Sequence, residues 1–146
     1  MKLLGKIWQK IPRFWRLKII RATQKKFTVS VGAVIVNANK EVLLLDHVLR
    51  PASGWGIPGG FVEHGEQPEE AIRRELLEET GLELEKVEMF RVRTIERHVE
   101  ILFTAEGRGE AKVASREIKS LGWFRTDTLP EEMSRVQKLI IENILT

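Results

Sequence analysis

The 146-residue chain contains no cysteine and no tyrosine, and these absences exclude several kinds of chemistry. Without cysteine there are no disulfides, thiolate metal sites or thiol nucleophiles, which fits a reducing, cytoplasmic compartment. Without tyrosine, no phenol serves as an acid, a base or a stacking group. Acidic residues are missing from the first 40 positions. No apolar run reaches the roughly 20 residues that a membrane span needs.

The basic residues are concentrated at the N-terminus. Residues 1–26 hold nine of the 24 lysines and arginines and no acid, which leaves 15 basic and 21 acidic residues elsewhere. The remainder therefore carries about −6, although the whole chain is +3 with an isoelectric point near 9.3. The global charge is not a nucleic-acid signature. We predict a basic N-terminal arm over 1–26 and one domain over 27–146.

The arm has the pattern of an amphipathic helix interrupted by Pro12. Its first apolar stripe comprises Leu3, Leu4, Ile7, Trp8 and Ile11. The favoured interpretation is a helix packed on the body or on a second subunit, which leaves a homodimer open. The alternatives are peripheral attachment to an anionic membrane surface and, least favoured, nucleic acid.

The rest of the chain alternates strand and helix patterns. A β-branched run predicts a buried strand over 28–36, followed by a turn over 37–40 and a strand over 41–46. Residues 50–60, with two prolines and four glycines, predict a shaped loop. Further segments are predicted as a helix over 68–80, strands near 87–95, 98–105 and 119–125, and a last helix opening at Leu129-Pro130-Glu131, with Val136, Leu139, Ile140, Asn143 and Ile144 along one side. This order predicts an α/β fold with one mixed sheet covered on both faces.

The segment 60–82 carries the chemistry. Glu75, Glu78 and Glu79 fall at i, i+3 and i+4, so they crowd one arc of the predicted helix and repel one another. A hard divalent cation such as Mg²⁺ reverses that repulsion, because it prefers oxygen ligands shared with substrate phosphates. The glycine-rich loop before the helix can bring bare backbone to the same place. The alternative is a solvated acidic helix face.

The full pattern resembles the Nudix box: glycine, five residues, glutamate, seven residues, then Arg-Glu-apolar-any-Glu-Glu-any-Gly-apolar. Seven fixed identities arise by chance roughly once in 10⁸ placements. The flanking SVGAVI, WGIPGG and EIKSLGWF segments are also similar to the family, and the resemblance covers about residues 27–145. It implies a Nudix-type α/β/α sandwich and hydrolysis of a nucleoside diphosphate linked to another moiety, with Mg²⁺ or Mn²⁺.

The resemblance implies roles by position. Metal ligands are expected at Glu75, Glu78, Glu79, the Gly59 carbonyl and Glu117. Arg74 is expected to orient a helix glutamate, whereas Gly60, Glu66 and Gly81 are expected to be structural. Metal-assisted attack of water on phosphorus is the implied mechanism, and Glu75 and Glu117 are rival general bases. Glu96, Glu100, Glu106 and Glu110 compete with Glu117 for the later acid.

The substrate is less defined. The chain lacks the downstream proline typical of the ADP-ribose branch and the tyrosine of the dinucleoside-polyphosphate branch. Nucleoside triphosphates, including oxidised ones, remain as the default. Arg50, Trp55 and Phe90 are candidate contacts to phosphate or base, with solvation or packing as their alternative roles. A module that binds a nucleotide without turnover is the competing functional hypothesis.

Overall fold

The structure, a computed structural model, describes residues 2–50 and 54–145, with side chains described from Gly5 onward. Its helices are α1 (Lys2–Lys10), α2 (Arg13–Thr23), α3 (Pro68–Thr80) and α4 (Arg135–Leu145). Its strands are β1 (Thr28–Val36), β2 (Val42–His47), β3 (Trp55–Gly56), β4 (Gly59–Phe61), β5 (Glu83–Ile95), β6 (His98–Arg108) and β7 (Ile118–Phe124).

The seven strands of the described residues form one mixed sheet, and a mixed sheet is what the sequence predicts from five of them. Strand β1 lies centrally, pairing in parallel with β6 and antiparallel with β2 and β4. The order along the sheet is β3-β2-β1-β6-β5, with β7 added to β2. The parallel pair requires a long crossover, and α3 lies within it.

Alternate residues of β1 face two different cores, which is why the sheet is covered on both sides. Val31, Ala33 and Ile35 pack in the core that contains α3 residues such as Leu76. Val34 packs in the opposite core, together with α4. The predicted α/β/α sandwich is confirmed.

Helix α3 has the predicted bounds because both of its ends are specified locally. Gln67 and Glu70 form a capping box at its start, where Pro68 occupies the first turn. Gly81 ends it with φ 72° and donates its N–H to the carbonyl of Leu77. The acids at positions 75, 78 and 79 are therefore held on a well-defined helix.

Two expectations are corrected. The segment predicted to be a loop over 50–60 contributes the short strands β3 and β4, while residues 51–53 lie outside the described ranges. The last helix begins at Arg135, because the chain first turns with the Met133 N–H donating to the Pro130 carbonyl.

The buried face of α4 also differs from the predicted one. Ile140 and Ile141 are buried, whereas Val136 and Leu139 are exposed, and so is Asn143. The side chain of Gln137 accepts a hydrogen bond from the Ile57 N–H, which fixes the side of α4 that meets the sheet.

The arm forms two helices separated at Pro12. None of the α2 residues is buried. Within residues 2–50 and 54–145, no helix combines the length and apolar character that a membrane crossing requires.

Candidate active site

The three glutamates of the α3 arc differ in their exposure. The side chain of Glu79 is 8% exposed, that of Glu75 is 17% exposed and that of Glu78 is 60% exposed. The arc therefore runs from the buried edge of the helix out to solvent. Because of this gradient, protein contacts can fix the buried carboxylate of Glu79 while the exposed carboxylate of Glu78 is open to an incoming ligand.

Arg74 connects this arc to the preceding loop. Its Nε and Nη2 donate to the two carboxylate oxygens of Glu66 at 2.8 and 3.0 Å, and its Nη1 donates to Glu75 Oε1 at 2.9 Å. Glu66 also accepts the Glu63 N–H at 2.9 Å, so it ties the loop to the helix. Arg74, and then the Glu63 N–H, hold the pKa of Glu66 below its usual range.

The backbone of β4 approaches the arc as closely as glycine permits. A Cβ on Gly60 would lie 2.2 Å from the carboxyl carbon of Glu75, and a Cβ on Gly59 would lie 2.1 Å from the Val31 carbonyl oxygen. The φ of Gly59 is also positive, at 154°. Any larger residue would displace either the acid or the sheet pairing.

Glu79 lies in a buried polar cluster with His47, the last residue of β2, and Arg50, which follows that strand. Its Oε1 is 3.7 Å from His47 Nδ1, and the charge of Arg50 also acts on it. Burial first, and then Arg50, lower the pKa of His47 to about 4, so that the imidazole is neutral at pH 7. Burial also lowers the pKa of Arg50.

Burial, followed by the charge of Glu75, raises the pKa of Glu79 to about 8. Glu117 adds to this effect, while Arg50 and a hydrogen bond from the Gly59 N–H oppose it. The second oxygen of Glu79 is buried and has no hydrogen-bond partner within the described ranges. An unsatisfied, buried carboxylate oxygen is expensive unless a cation or a proton meets it.

These features fit a divalent cation. An orphaned oxygen on Glu79, the neighbouring acids of the arc and a backbone kept bare by two glycines provide the hard ligands that Mg²⁺ prefers. As the side chains stand, no three acids or histidines of the described segments form a ready ligand set. Arg74 bonds one oxygen of Glu75 and lies 3.5 Å from one oxygen of Glu78, so it competes with a metal for those two oxygens.

The segment over residues 112–117, here called the strap, crosses the C-terminus of α3 and brings Glu117 toward that helix. The N–H groups of Lys112 and Ala114 donate to the carbonyls of Thr80 and Glu79, each at 3.0 Å. The Glu117 carbonyl then accepts the Val48 N–H at 2.8 Å, which joins the strap to the end of β2. Its side chain is exposed.

The competing later acids lie in other settings. Glu106 pairs with Lys86, Glu110 pairs with Lys112 and Glu96 occupies the turn after β5. Glu100 pairs with Arg93 and borders a cavity beside the arc.

That cavity has a volume of about 190 Å³ and extends from β4. Arg50 lies at its wall and donates from Nη2 to the Ile57 carbonyl at 2.9 Å. The other side chains of the described segments that give the cavity its polar and aromatic character are Ser30, Phe61, Glu100 and Gln137. The cavity thus offers a cation, a carboxylate, an amide and an aromatic ring to one ligand.

The structure does not bring the three sequence-predicted substrate contacts together. Arg50 borders the cavity, but Trp55 and Phe90 are not among the described residues that line it. Trp55 packs edge-to-face on Phe124, with ring centroids 5.1 Å apart. Phe90 is half exposed on β5, across β6 from the centre of the sheet.

Sequence reasoning missed the roles of His47 and Gln137, and it considered Glu100 only as a competitor for the later acid, not as part of the cavity wall. His47 and Gln137 reach the site only through contacts 32 and 80 positions away in the chain. No local sequence signal singles out either residue, because Gln137 lies outside the predicted apolar stripe of the last helix. His64 and His98 do not join the described cavity lining; His98 instead bonds Thr28 and Ser30.

Comparison with known proteins gives a consistent result. The family model described as the NUDIX domain matches residues 26–144. A MutT-like protein of Streptomyces ambofaciens is 32% identical over 112 residues, covering 75% of this chain and 71% of that protein. An 8-oxo-dGDP phosphatase of Danio rerio is 31% identical over 124 residues, covering 80% of this chain but 38% of the fish protein.

Among solved structures, the MutT NUDIX hydrolase of Burkholderia pseudomallei superposes with a TM-score of 0.72 at 32% identity. The match covers 82% of this chain and 99% of the bacterial chain. The family model thus spans the sheet, α3 and all but the last residue of α4, and the structural match covers a similar share of the chain.

Proposed function

This chain belongs to the NUDIX family, a family of phosphoanhydride hydrolases, and on that premise we propose that it cleaves a nucleoside diphosphate linked to another moiety, using Mg²⁺. The observation that carries the metal assignment is the buried, unpartnered oxygen of Glu79 on the same arc as Glu75 and Glu78. Mn²⁺ suits the same oxygen ligands.

The acids of the arc hold the metal in this proposal. When bound, Mg²⁺ neutralises phosphate charge and lowers the pKa of water. Glu79 would supply one of the ligands, and because its pKa is raised to about 8, it would have to be ionised to bind the metal. Arg74 positions Glu75 on the arc by its 2.9 Å hydrogen bond.

Glu117 is the better placed of the two candidate bases. One carboxylate oxygen of Glu75 is already occupied by the hydrogen bond from Arg74. The side chain of Glu117 is exposed, and its charge acts on Glu79. It can therefore accept a proton from water near the arc without breaking an ion pair that the structure shows.

A nucleoside triphosphate, including an oxidised one, is the proposed substrate class. The relative named 8-oxo-dGDP phosphatase supports the inclusion of oxidised nucleotides in this class. The cavity beside the arc supports the class itself, because Gln137 and Glu100 offer hydrogen bonds to a base edge and Phe61 offers a ring. Arg50 lies between the cavity and Glu79, where a phosphate would be neutralised.

The test is product analysis by mass over nucleoside triphosphates, oxidised nucleotides, ADP-ribose and capped RNA, with Mg²⁺ and with Mn²⁺. Glu78→Gln should lower kcat/KM about a hundredfold or more, because a metal supplies several kcal/mol of transition-state stabilisation. Glu69→Gln, on the same helix but ion-paired with Arg73, is the matched control and should retain activity.

Two outcomes would contradict the proposal. Equal activity in Glu78→Gln and wild-type protein would remove the metal assignment. Tight binding of metal and nucleotide without any product would favour the binding-module hypothesis. Glu117→Gln and Glu75→Gln separate the base from the ligand: loss of kcat with unchanged metal affinity marks the base.

A further inference from the structure

The arm, residues 1–26, carries a strong charge of one sign. All nine charged residues within 1–26 are basic, whereas the rest of the chain carries about −6. Although the body is acidic, no residue of α2 is buried against it. The charge of the arm is therefore available to something outside this chain.

The two helices of the arm expose large apolar side chains. Six of them are between 40% and 62% exposed: Ile7, Phe14, Trp15, Leu17, Ile19 and Ile20. Apolar side chains scattered singly over a surface are ordinary, but a concentration of this kind on two short helices indicates an interaction surface. Two of the six are aromatic, as is common at the boundary between water and lipid.

The arm has two concave surfaces, one lined mainly by basic side chains and one that combines apolar side chains with arginines. A groove of about 580 Å³ is lined by Lys18, Arg21, Lys25 and Lys26, with Ala22 and Gln24, and has no acid among its described lining residues. A smaller hollow of about 240 Å³ lies between α1 and α2, where Trp8, Leu17 and Ile20 adjoin Arg13 and Arg16. The Nε of Arg16 is shielded there and has no hydrogen-bond partner in the described ranges.

This combination favours one occupant over the others. A nucleic-acid backbone would satisfy the basic groove but would leave Ile7, Ile19 and Ile20 in water. A second copy of the arm carries the same charge and would repel it. An anionic bilayer meets both needs, since its phosphates face the basic groove while its acyl region receives the apolar side chains.

We infer that residues 2–26 bind the surface of anionic membranes, lying at the interface without crossing the bilayer. This inference goes beyond the proposed hydrolase activity and does not depend on it. The arm binds negatively charged lipid headgroups, which contact Lys18, Arg21, Lys25 and Lys26. Phe14 and Trp15 enter the boundary of the acyl region.

The experiment is co-sedimentation of the full chain with vesicles of phosphatidylcholine alone or mixed with phosphatidylglycerol. Binding should be at least about tenfold stronger to the anionic vesicles. It should weaken as ionic strength rises from about 0.1 M to about 1 M, because the Debye length falls from about 10 Å to about 3 Å. Tryptophan emission should shift to the blue on binding.

Charge variants test the groove. The double variant Lys25→Gln/Lys26→Gln should weaken binding to anionic vesicles about 25-fold, because each basic residue near the surface contributes about fivefold. The control is Lys86→Gln/Lys112→Gln, which removes the same charge from exposed, ion-paired sites on the body. It should bind as the wild type does.

Apolar variants test insertion. Trp15→Ser should weaken binding about tenfold or more, because a large apolar side chain no longer leaves water. Met89→Ser, which changes an exposed apolar residue on β5, is the control. Thermal unfolding of every variant checks that the fold is retained.

Several results would overturn the inference. These are equal binding to neutral and anionic vesicles, no binding to either, and equal losses in the arm variants and their controls. Single-stranded RNA that displaces the protein from vesicles at similar concentration would assign the arm to nucleic acid. Dimerisation in solution that Trp15→Ser abolishes would assign it to a second copy.

Discussion

The burial of Glu79 predicts an unusual dependence of stability on pH in the metal-free protein. Its folded pKa is about 8, above its ordinary value of 4.5. Between those values the folded state holds a proton that the unfolded state has released. The stability contributed by the protonated carboxyl is therefore fully present below about pH 4.5 and is lost as pH rises through about 8.

The magnitude follows from that shift. Raising the pH from 6.5 to 8.5 should cost about 2 kcal/mol of unfolding free energy, or about 4–8 °C in Tm for a chain of this length. His47 does not obscure this window. Its folded pKa of about 4 lies below the ordinary 6.5, so its contribution rises with pH only up to about 6.5.

The assay is urea and thermal unfolding in a chelator at pH 6.5, 7.5 and 8.5. Glu79→Gln should remove the fall, while Glu69→Gln, an exposed acid on the same helix, should keep it. With saturating Mg²⁺ the wild-type fall should shrink or reverse, since the metal binds the ionised carboxylate. A wild-type curve as flat as that of Glu79→Gln would refute the reasoning.

Three further predictions concern the site and its support. Gly60→Ala should lower kcat/KM, measured by steady-state kinetics, at least about tenfold because the added methyl group displaces Glu75. Gly5→Ala is the control, because Gly5 has open space around it, and it should leave kcat/KM unchanged. Arg50→Lys should raise KM for a nucleoside triphosphate several-fold while changing Tm little, because lysine lacks the planar fork; an unchanged KM would remove Arg50 from substrate binding. Thr80→Val should cost about 1–3 kcal/mol in urea unfolding, since the buried hydroxyl donates to the Leu76 carbonyl and accepts from the Leu82 N–H; a loss below about 0.5 kcal/mol would contradict this.

Local signals explain what the sequence could predict. Helix α3 is specified by its own Pro68 and Gly81, and strand β1 by a β-branched run, so both have the predicted bounds. The last helix was misplaced because Pro130, a common first-turn residue, here belongs to a turn closed by Met133. Nothing local distinguishes those two uses of proline.

The candidate site likewise has one part that local sequence signals predict and another part that they do not. The spacing of Glu75, Glu78 and Glu79 is a local property, so sequence alone placed them on one arc. The contact of His47 with Glu79 is long-range, as is that of Gln137 with the Ile57 N–H. Such contacts depend on how the sheet positions loops, and one sequence carries no periodic signal for them.

The pairing of β1 with β6 has a consequence for how the chain acquires its shape. All nine residue pairs of that ladder join positions 70 apart, from Thr28 with His98 to Val36 with Glu106. During synthesis at 5–20 residues per second, the central strand therefore waits about 4–14 s for its longest partner. Throughout that interval the apolar run from Val31 to Ile35, buried in the finished sheet, has no β6 to cover its edge. The ribosome-bound chain is thus exposed to mispairing at the very strand on which the finished sheet is centred, and the need to close this long loop slows its folding.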